Sequence, residues 1–457
     1  MDVTDTGDPG TDRPGAAVGT VSGREILRLA VPALGALLAE PTFLAVDVAI
    51  IGHLGTAALA GVGVAAVALS TVVGLAVFLA YGTTAQVARA VGAGRPGSAY
   101  ESGVAGLYLA AVLGVAVAVA GVPLAPLVVS ALGAHGEAAA LGALYLRISL
   151  AGVPGTLVVL AATGVIRGLQ DTRTPLVVAV AGAVVNTVVN VLLVLVLRLG
   201  VGGSAAGTAA VQTAMAVVLA AVVVRGARRS RTAVSPHWGR VAAVGRDGIA
   251  LFVRTATLRV AILVATAVAA RQGVVALAGH QVVTAVWNWL ALALDALAIA
   301  AQALTGRALG AGDAPAARAA TDRLVRWGCS AGAVLGACVL AGCVALPQLF
   351  SADPGVRSAV TAALVAVAVA LPLGGYVFVL DGVLIGAGDG RYLAWAGVAS
   401  LLAFLPAAVA VALSAPRAGT GLVWLWAAYL GVYLVARAVT LGLRYRRDGW
   451  LVLGAGR

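Results

Sequence analysis

The 457-residue chain contains no lysine; all 30 of its basic residues are arginine. A Walker A loop needs a lysine to reach its phosphates. An ATP-driven pump of that design is therefore excluded, and any transport must be ion-coupled or passive. Charge of either sign is scarce: 11% of residues are charged, against about a quarter in a soluble chain. The three cysteines, Cys329, Cys338 and Cys343, fall in one apolar stretch and read as small core residues. Four scattered histidines give no metal-ligand spacing, so neither a metal nor a cofactor is expected. No constellation of nucleophile, base and acid stands out, which argues against an enzyme.

What the chain does have is hydrophobicity. Apolar residues make up 61% of it, and the mean hydropathy is +1.03. Long apolar runs alternate with short connections rich in Gly, Arg and Pro, the pattern of an all-α polytopic membrane protein. Twelve transmembrane helices are expected, near 26–51, 57–80, 103–128, 138–165, 174–197, 203–224, 248–270, 275–303, 324–348, 357–384, 391–413 and 420–443. The expected divisions are a polar, disordered tail over 1–23, a six-helix lobe over 24–224, a basic linker over 225–246, a second six-helix lobe over 247–445 and a tail over 446–457. The first tail has no signal-peptide pattern.

Arginine sets the orientation. With the N-terminus inside, the inner segments carry 22 arginines and the outer loops only four. Both termini are thus expected in the cytoplasm, with the chain in the plasma (cell inner) membrane. The net charge of +12 then belongs to cytoplasmic loops rather than to nucleic-acid binding, for which there is no soluble domain. The linker 225–246 reads either as a topogenic loop or as a contact for anionic lipid. The obligatory partner is the bilayer, and a monomer is expected.

The two halves repeat. RAVGAGR (89–95) recurs as RALGAGD (307–313), ALAGVGVA (58–65) as ALAGHQVV (276–283), and GVIRGLQDTR (164–173) as GVLIGAGDGR (382–391). All three pairs lie 218 residues apart without a gap. An even number of spans per repeat keeps both copies in one topology, so the pseudo-two-fold axis should run along the membrane normal. A cavity between the two bundles near the midplane follows. The repeated GAG turns read as helix C-caps, elbows that hold loop geometry.

Chemistry is sought where the copies differ. Glu40 and Asp47 lie on an apolar first helix, about two turns and roughly 10 Å apart on nearly one face. A charged acid at mid-membrane costs about 2.5–3.5 kcal/mol, and protonation removes most of that cost. Their counterparts at the 218 offset are Leu258 and Ala265. A role confined to one copy suits a coupling site better than a structural one. Asn186 and Asn190, one turn apart, can hold a neighbouring carboxylate in either protonation state, with Thr208 as a further partner; the same residues serve equally as helix–helix contacts. In the second half, Asp295 and Asp381 either line the cavity and attract a cation or pair with Arg254 or Arg259. Gln281, Asn288 and Gln302 form a polar thread. Trp287 and Trp289 flank Asn288 as a wall for a flat cation or as an interface belt. The substrate-binding candidates are therefore Asp295, Asn288, Gln281, Trp287 and Asp381.

EP followed by VDVAIIGHLG (40–55), the GAG elbow, GVIRGLQDTRTP (164–175), DALAIAAQALTGRALGAGD (295–313) and DGVLIGAGD (381–389) together resemble the multidrug and toxic compound extrusion (MATE) transporters, within them the DinF-like branch. The resemblance implies a two-lobe antiporter that expels drugs by alternating access, driven by H⁺ or Na⁺. The family's first-helix Asp matches Asp47, its fifth-helix polar pair Asn186 and Asn190, and its sixth-helix Thr Thr208. Two departures favour protons. The second fifth-helix position, often Asp in prokaryotic relatives with a cation site, is Asn190, and a Tyr one turn before the first-helix Asp is Phe43. Both remove oxygen ligands that a hard cation needs. The expected cargo is a lipophilic organic cation. The alternative within the same architecture is a flippase for lipid-linked precursors, which calls for a strongly cationic cavity.

Overall fold

The computed structural model describes residues 22–414 and 420–454. Among them are twelve helices long and apolar enough to cross a membrane. They are α1 (Gly23–Gly52), α2 (Thr56–Gly92), α3 (Pro96–Ala131), α4 (Gly136–Gly168), α5 (Arg173–Val196), α6 (Gly200–Arg229), α7 (Trp238–Gln272), α8 (Val274–Gly310), α9 (Ala314–Gly342), α10 (Pro354–Gly386), α11 (Gly390–Leu413) and α12 (Thr420–Arg446). The tail expected over 1–23 lies outside the described residues except for its last two, as do 455–457.

Most boundaries fall close to the hydrophobic runs, and the exceptions have local causes. Helix α2 was expected to end near residue 80. It breaks at Val77 and resumes as Phe78–Gly92. The polar residues of that extension are satisfied inside the protein: Thr83 and Thr84 hydroxyls donate to the Leu79 and Ala80 carbonyls (2.7 and 2.8 Å), and Thr84 also to Gly164 of α4 (2.9 Å). Helix α9 starts ten residues earlier than the apolar run, because Asp313 caps it by accepting from the Ala316 N–H at 2.8 Å. The basic segment 225–246 is mostly helix. Its first residues end α6, its last begin α7, and only 230–237 connect them.

Two hydrophobic cores sit side by side, one in α1–α6 and one in α7–α12. The partition is not clean, because the start of α1 crosses over. Ile26, Leu29 and Ala30 join the second core, and Ala33 packs on Ala296 and Ile299 of α8. The lower half of α2 does the same through Ala85.

At the arginine-rich face the repeated elbows meet. A Cβ on Gly92 would collide with the Arg307 carbonyl, and one on Gly310 with the Arg89 carbonyl. These two contacts are exchanged by the 218-residue repeat. Each elbow arginine then reaches the other lobe. Arg89 donates to the Ala387 and Val452 carbonyls, both at 2.6 Å, and Arg307 to Gln170 Oε1 at 2.7 Å. Only glycine allows this backbone approach, so the repeat places the same residue at both halves of one seal.

Gly375, by contrast, packs against the Gly328 backbone inside the second lobe. Gly375→Ala should lower the thermal unfolding midpoint of the purified protein, since overpacking costs about 1–3 kcal/mol. Gly310→Ala should instead leave both lobes folded and expose the arginine-rich face between them, read as faster alkylation of a single thiol at Ala85→Cys in a background without the native cysteines.

Candidate coupling site and cavity

Asp47 stands five residues from the end of α1 and is 2% exposed. Asn186 Nδ2 donates to both of its oxygens, at 3.0 and 3.2 Å, and Asn190 Nδ2 to Oδ1 at 2.7 Å. The Thr208 hydroxyl donates to Oδ2 at 3.3 Å. The i, i+4 spacing of the two asparagines aims both amides at one carboxylate. Directly after Asn190 the helix widens into a π-turn over Val191–Val196, with the Leu197 N–H bonded to Leu192 O at 2.8 Å; such insertions often mark functional positions. Gly207 lets α6 approach Asn190 and so brings Thr208 into reach. The amide oxygens Asn186 Oδ1 and Asn190 Oδ1 are buried and without a hydrogen-bond partner. Of the five residues expected to form a coupling site, Asp47, Asn186, Asn190 and Thr208 meet and Glu40 does not, and all three partners of the acid are neutral.

Below this cluster lies a cavity of about 160 Å³. It touches the cluster through Asn186 and extends to Arg167, Tyr81 and Asp295. Glu40 lines it without joining the Asp47 cluster. The cavity was expected between the lobes. It is formed instead inside the first lobe by α1, α2, α4, α5 and α6, with Asp295 the one contribution of the second lobe among the described lining residues.

Of the five candidate binding residues, only Asp295 reaches the cavity. Asp381 is 4% exposed and held by two guanidinium groups: Arg437 Nη2 donates to it at 2.5 Å, and Arg254 pairs with its other oxygen. An isolated buried charge is expensive, so the acid is paired rather than open to a ligand. Trp287 is turned into the second core, 6.2 Å from the Trp426 ring and 6.3 Å from Tyr429. Gln281 and Asn288 are exposed on α8 above Asp295. They share its face at seven-residue steps, which drift by only about 20° each.

Sequence reasoning missed Tyr81, Arg167 and Arg437. The Tyr81 hydroxyl donates to both oxygens of Asp295, at 3.3 and 3.2 Å, and the Arg254 guanidinium lies 5.4 Å from the centre of its ring. Arg167 closes an apolar run and so reads as one of the inner-segment arginines, yet it is 8% exposed and lines the cavity. The expected alternative of a pair between Asp381 and Arg254 holds, and Arg437 carried a readable signal, since an arginine inside an apolar span needs an acid.

Asp381→Asn should therefore be costly, leaving two buried guanidinium groups without their counter-charge. Breaking a buried pair costs about 3–5 kcal/mol, measurable as a large fall in the unfolding midpoint in detergent. Asp47→Asn, with only neutral neighbours, should unfold close to the parent protein.

A family model described as MatE matches residues 32–192 and 251–409. The chain is 32% identical over 448 residues to the Arabidopsis thaliana protein DETOXIFICATION 44, chloroplastic, covering 94% of this chain and 84% of that protein. It is 27% identical over 302 residues to the DNA damage-inducible protein F of Escherichia coli, covering 64% and 65%. Among solved structures, a multidrug resistance MATE family transporter of the MOP superfamily in an outward-facing conformation superposes with a TM-score of 0.83 at 21% identity, covering 93% of this chain and 96% of that one. With both repeats matched by the family model and one relative aligned over 94% of this chain, the chain belongs to the MATE family of multidrug and toxin efflux transporters, a family of transporters and not of enzymes.

Proposed function

We propose that this protein is a secondary antiporter that exports lipophilic organic cations by alternating access, coupled to proton influx through Asp47. The observation that carries the proposal is a buried acid whose three hydrogen-bond partners, Asn186, Asn190 and Thr208, are all neutral. With no basic partner in that set, protonation breaks no ion pair. The protonated acid becomes a donor and needs an acceptor, which an amide supplies by turning over; Asn186 Oδ1 and Asn190 Oδ1 are unpartnered in the present arrangement. Protonation thus rearranges the wall that Asn186 shares with the cavity. Coupling follows if substrate favours one arrangement and the proton the other.

Na⁺ is the less favoured driver, since the cluster holds a single carboxylate and both asparagines face it with their N–H groups rather than their oxygens. The excess of inner over outer arginines supports a plasma-membrane protein with both termini in the cytoplasm. Two acids, Glu40 and Asp295, against the single Arg167 in the cavity support cationic cargo over the pyrophosphate of a lipid-linked precursor.

In proteoliposomes, ethidium efflux should run on an imposed proton gradient alone and be lost in Asp47→Asn. Efflux that persists in that variant overturns the proposal. Asn190→Asp, which adds a carboxylate beside Asp47, is expected to confer stimulation by a Na⁺ gradient that the parent lacks.

A further inference from the structure

We infer that the hydrogen bond between Tyr81 and Asp295 is a latch through which occupancy of the cavity releases one lobe from the other. Asp295 is the one second-lobe residue among the described lining of the cavity, and both of its oxygens accept from Tyr81 of the first lobe. Whatever occupies the cavity near Asp295 therefore also touches a contact between lobes.

The pair is the top layer of the seal. Beneath it, the lower half of α2 runs against α8. Gln302 Nε2 donates to the Tyr81 carbonyl at 2.5 Å, Gly306 admits Ala88, and the glycine elbows close the far end. From Tyr81 to Gly92 this contact is about 16 Å deep at the α-helical rise. The break in α2 at Val77 lies one turn before Tyr81 and also lines the cavity. It separates an upper half within the first lobe from a lower half that packs at once on α4 of the first lobe and on α8 of the second. A break in the helix, the latch and the seal thus follow one another along α2.

The chemistry gives the latch a direction. Tyr81 offers the carboxylate a neutral donor. A cation brings a Coulomb attraction to the carboxylate that the neutral hydroxyl lacks, so it displaces the hydroxyl. Arg167 and Arg254 lie within electrostatic range of Asp295 and moderate the attraction, which keeps the exchange reversible. Gln281 and Asn288, exposed on the same face of α8, lead polar groups down to the carboxylate. This step rests on the cationic-cargo reading; the mechanical role of the pair does not.

The test uses double electron–electron resonance between spin labels at Arg95→Cys and Ala311→Cys, on the two elbows, with the native cysteines replaced. Without substrate, the parent should give one short distance. Tyr81→Phe keeps the ring but removes the donor, and should add a longer-distance population several-fold above the parent's. Asp295→Asn should do the same, and the double variant should open no further than either single one, as a shared interaction requires. Tetraphenylphosphonium should lengthen the distance in the parent and still bind Tyr81→Phe without changing its distribution. Substrate-free distributions identical in Tyr81→Phe, Asp295→Asn and the parent overturn the latch, whatever the cargo. Opening in both variants with no tetraphenylphosphonium binding to the parent keeps the mechanical latch and overturns cationic cargo as its trigger.

Discussion

A carboxylate inside a bilayer must be satisfied or neutral, and the way this fold handles two such acids sets the roles of its lobes. At Asp47, three neutral groups donate to the acid. Hydrogen bonds to a charged group contribute about 1.5–3 kcal/mol each, enough to offset an insertion cost of about 2.5–3.5 kcal/mol. With no counter-ion among these partners, Asp47 can take up a proton without breaking an ion pair. At Asp381 two guanidinium groups hold the acid. Protonating it would leave both arginines buried and unpaired, so that acid is fixed as a crosslink between α7, α10 and α12. Surroundings, not residue type, separate the acid that can cycle from the one that cannot.

The internal repeat divides the molecule in a second way. What is duplicated, the Arg-x-x-Gly-Ala-Gly elbow, lies where the lobes touch, and the two copies contact each other across the pseudo-two-fold. What is not duplicated, Asp47 with its two asparagines and Glu40 in the cavity wall, lies within one lobe. Symmetry serves the moving contact, since both bodies must present matching surfaces to close. In the proposed mechanism asymmetry serves the chemistry, since one coupling acid suffices.

The spans, the repeat and the Asp47 cluster were all legible from residues alone, for identifiable reasons. Membrane helices announce themselves by apolar length, and Asn186 and Asn190 by helical spacing. The cavity was harder. It opens inside the first lobe because α8 contributes only Asp295, and no one-dimensional pattern reports which face of a buried helix is uncovered. Trp287 illustrates this: beside exposed Asn288 and Trp289 it reads as a pocket wall, yet its own side chain turns into the second core. Arg167 was hidden by position, since an arginine at the end of an apolar run looks like a topological signal until its side chain is seen to turn back into the protein. Tyr81 was hidden by the unexpected continuation of α2, whose polar lower half is stable because α4 and the other lobe both cover it.

The central claim is that substrate and proton compete through Asp47. The most direct measurement is proton release on substrate binding, followed with a pH-sensitive dye in weakly buffered detergent solution. Linkage requires that a substrate favouring the deprotonated form expel protons as it binds. Addition of tetraphenylphosphonium to the parent protein should release protons in proportion to the occupied sites, and Asp47→Asn should bind without release. Equal release from both proteins would contradict the account, because the proton would then come from another group.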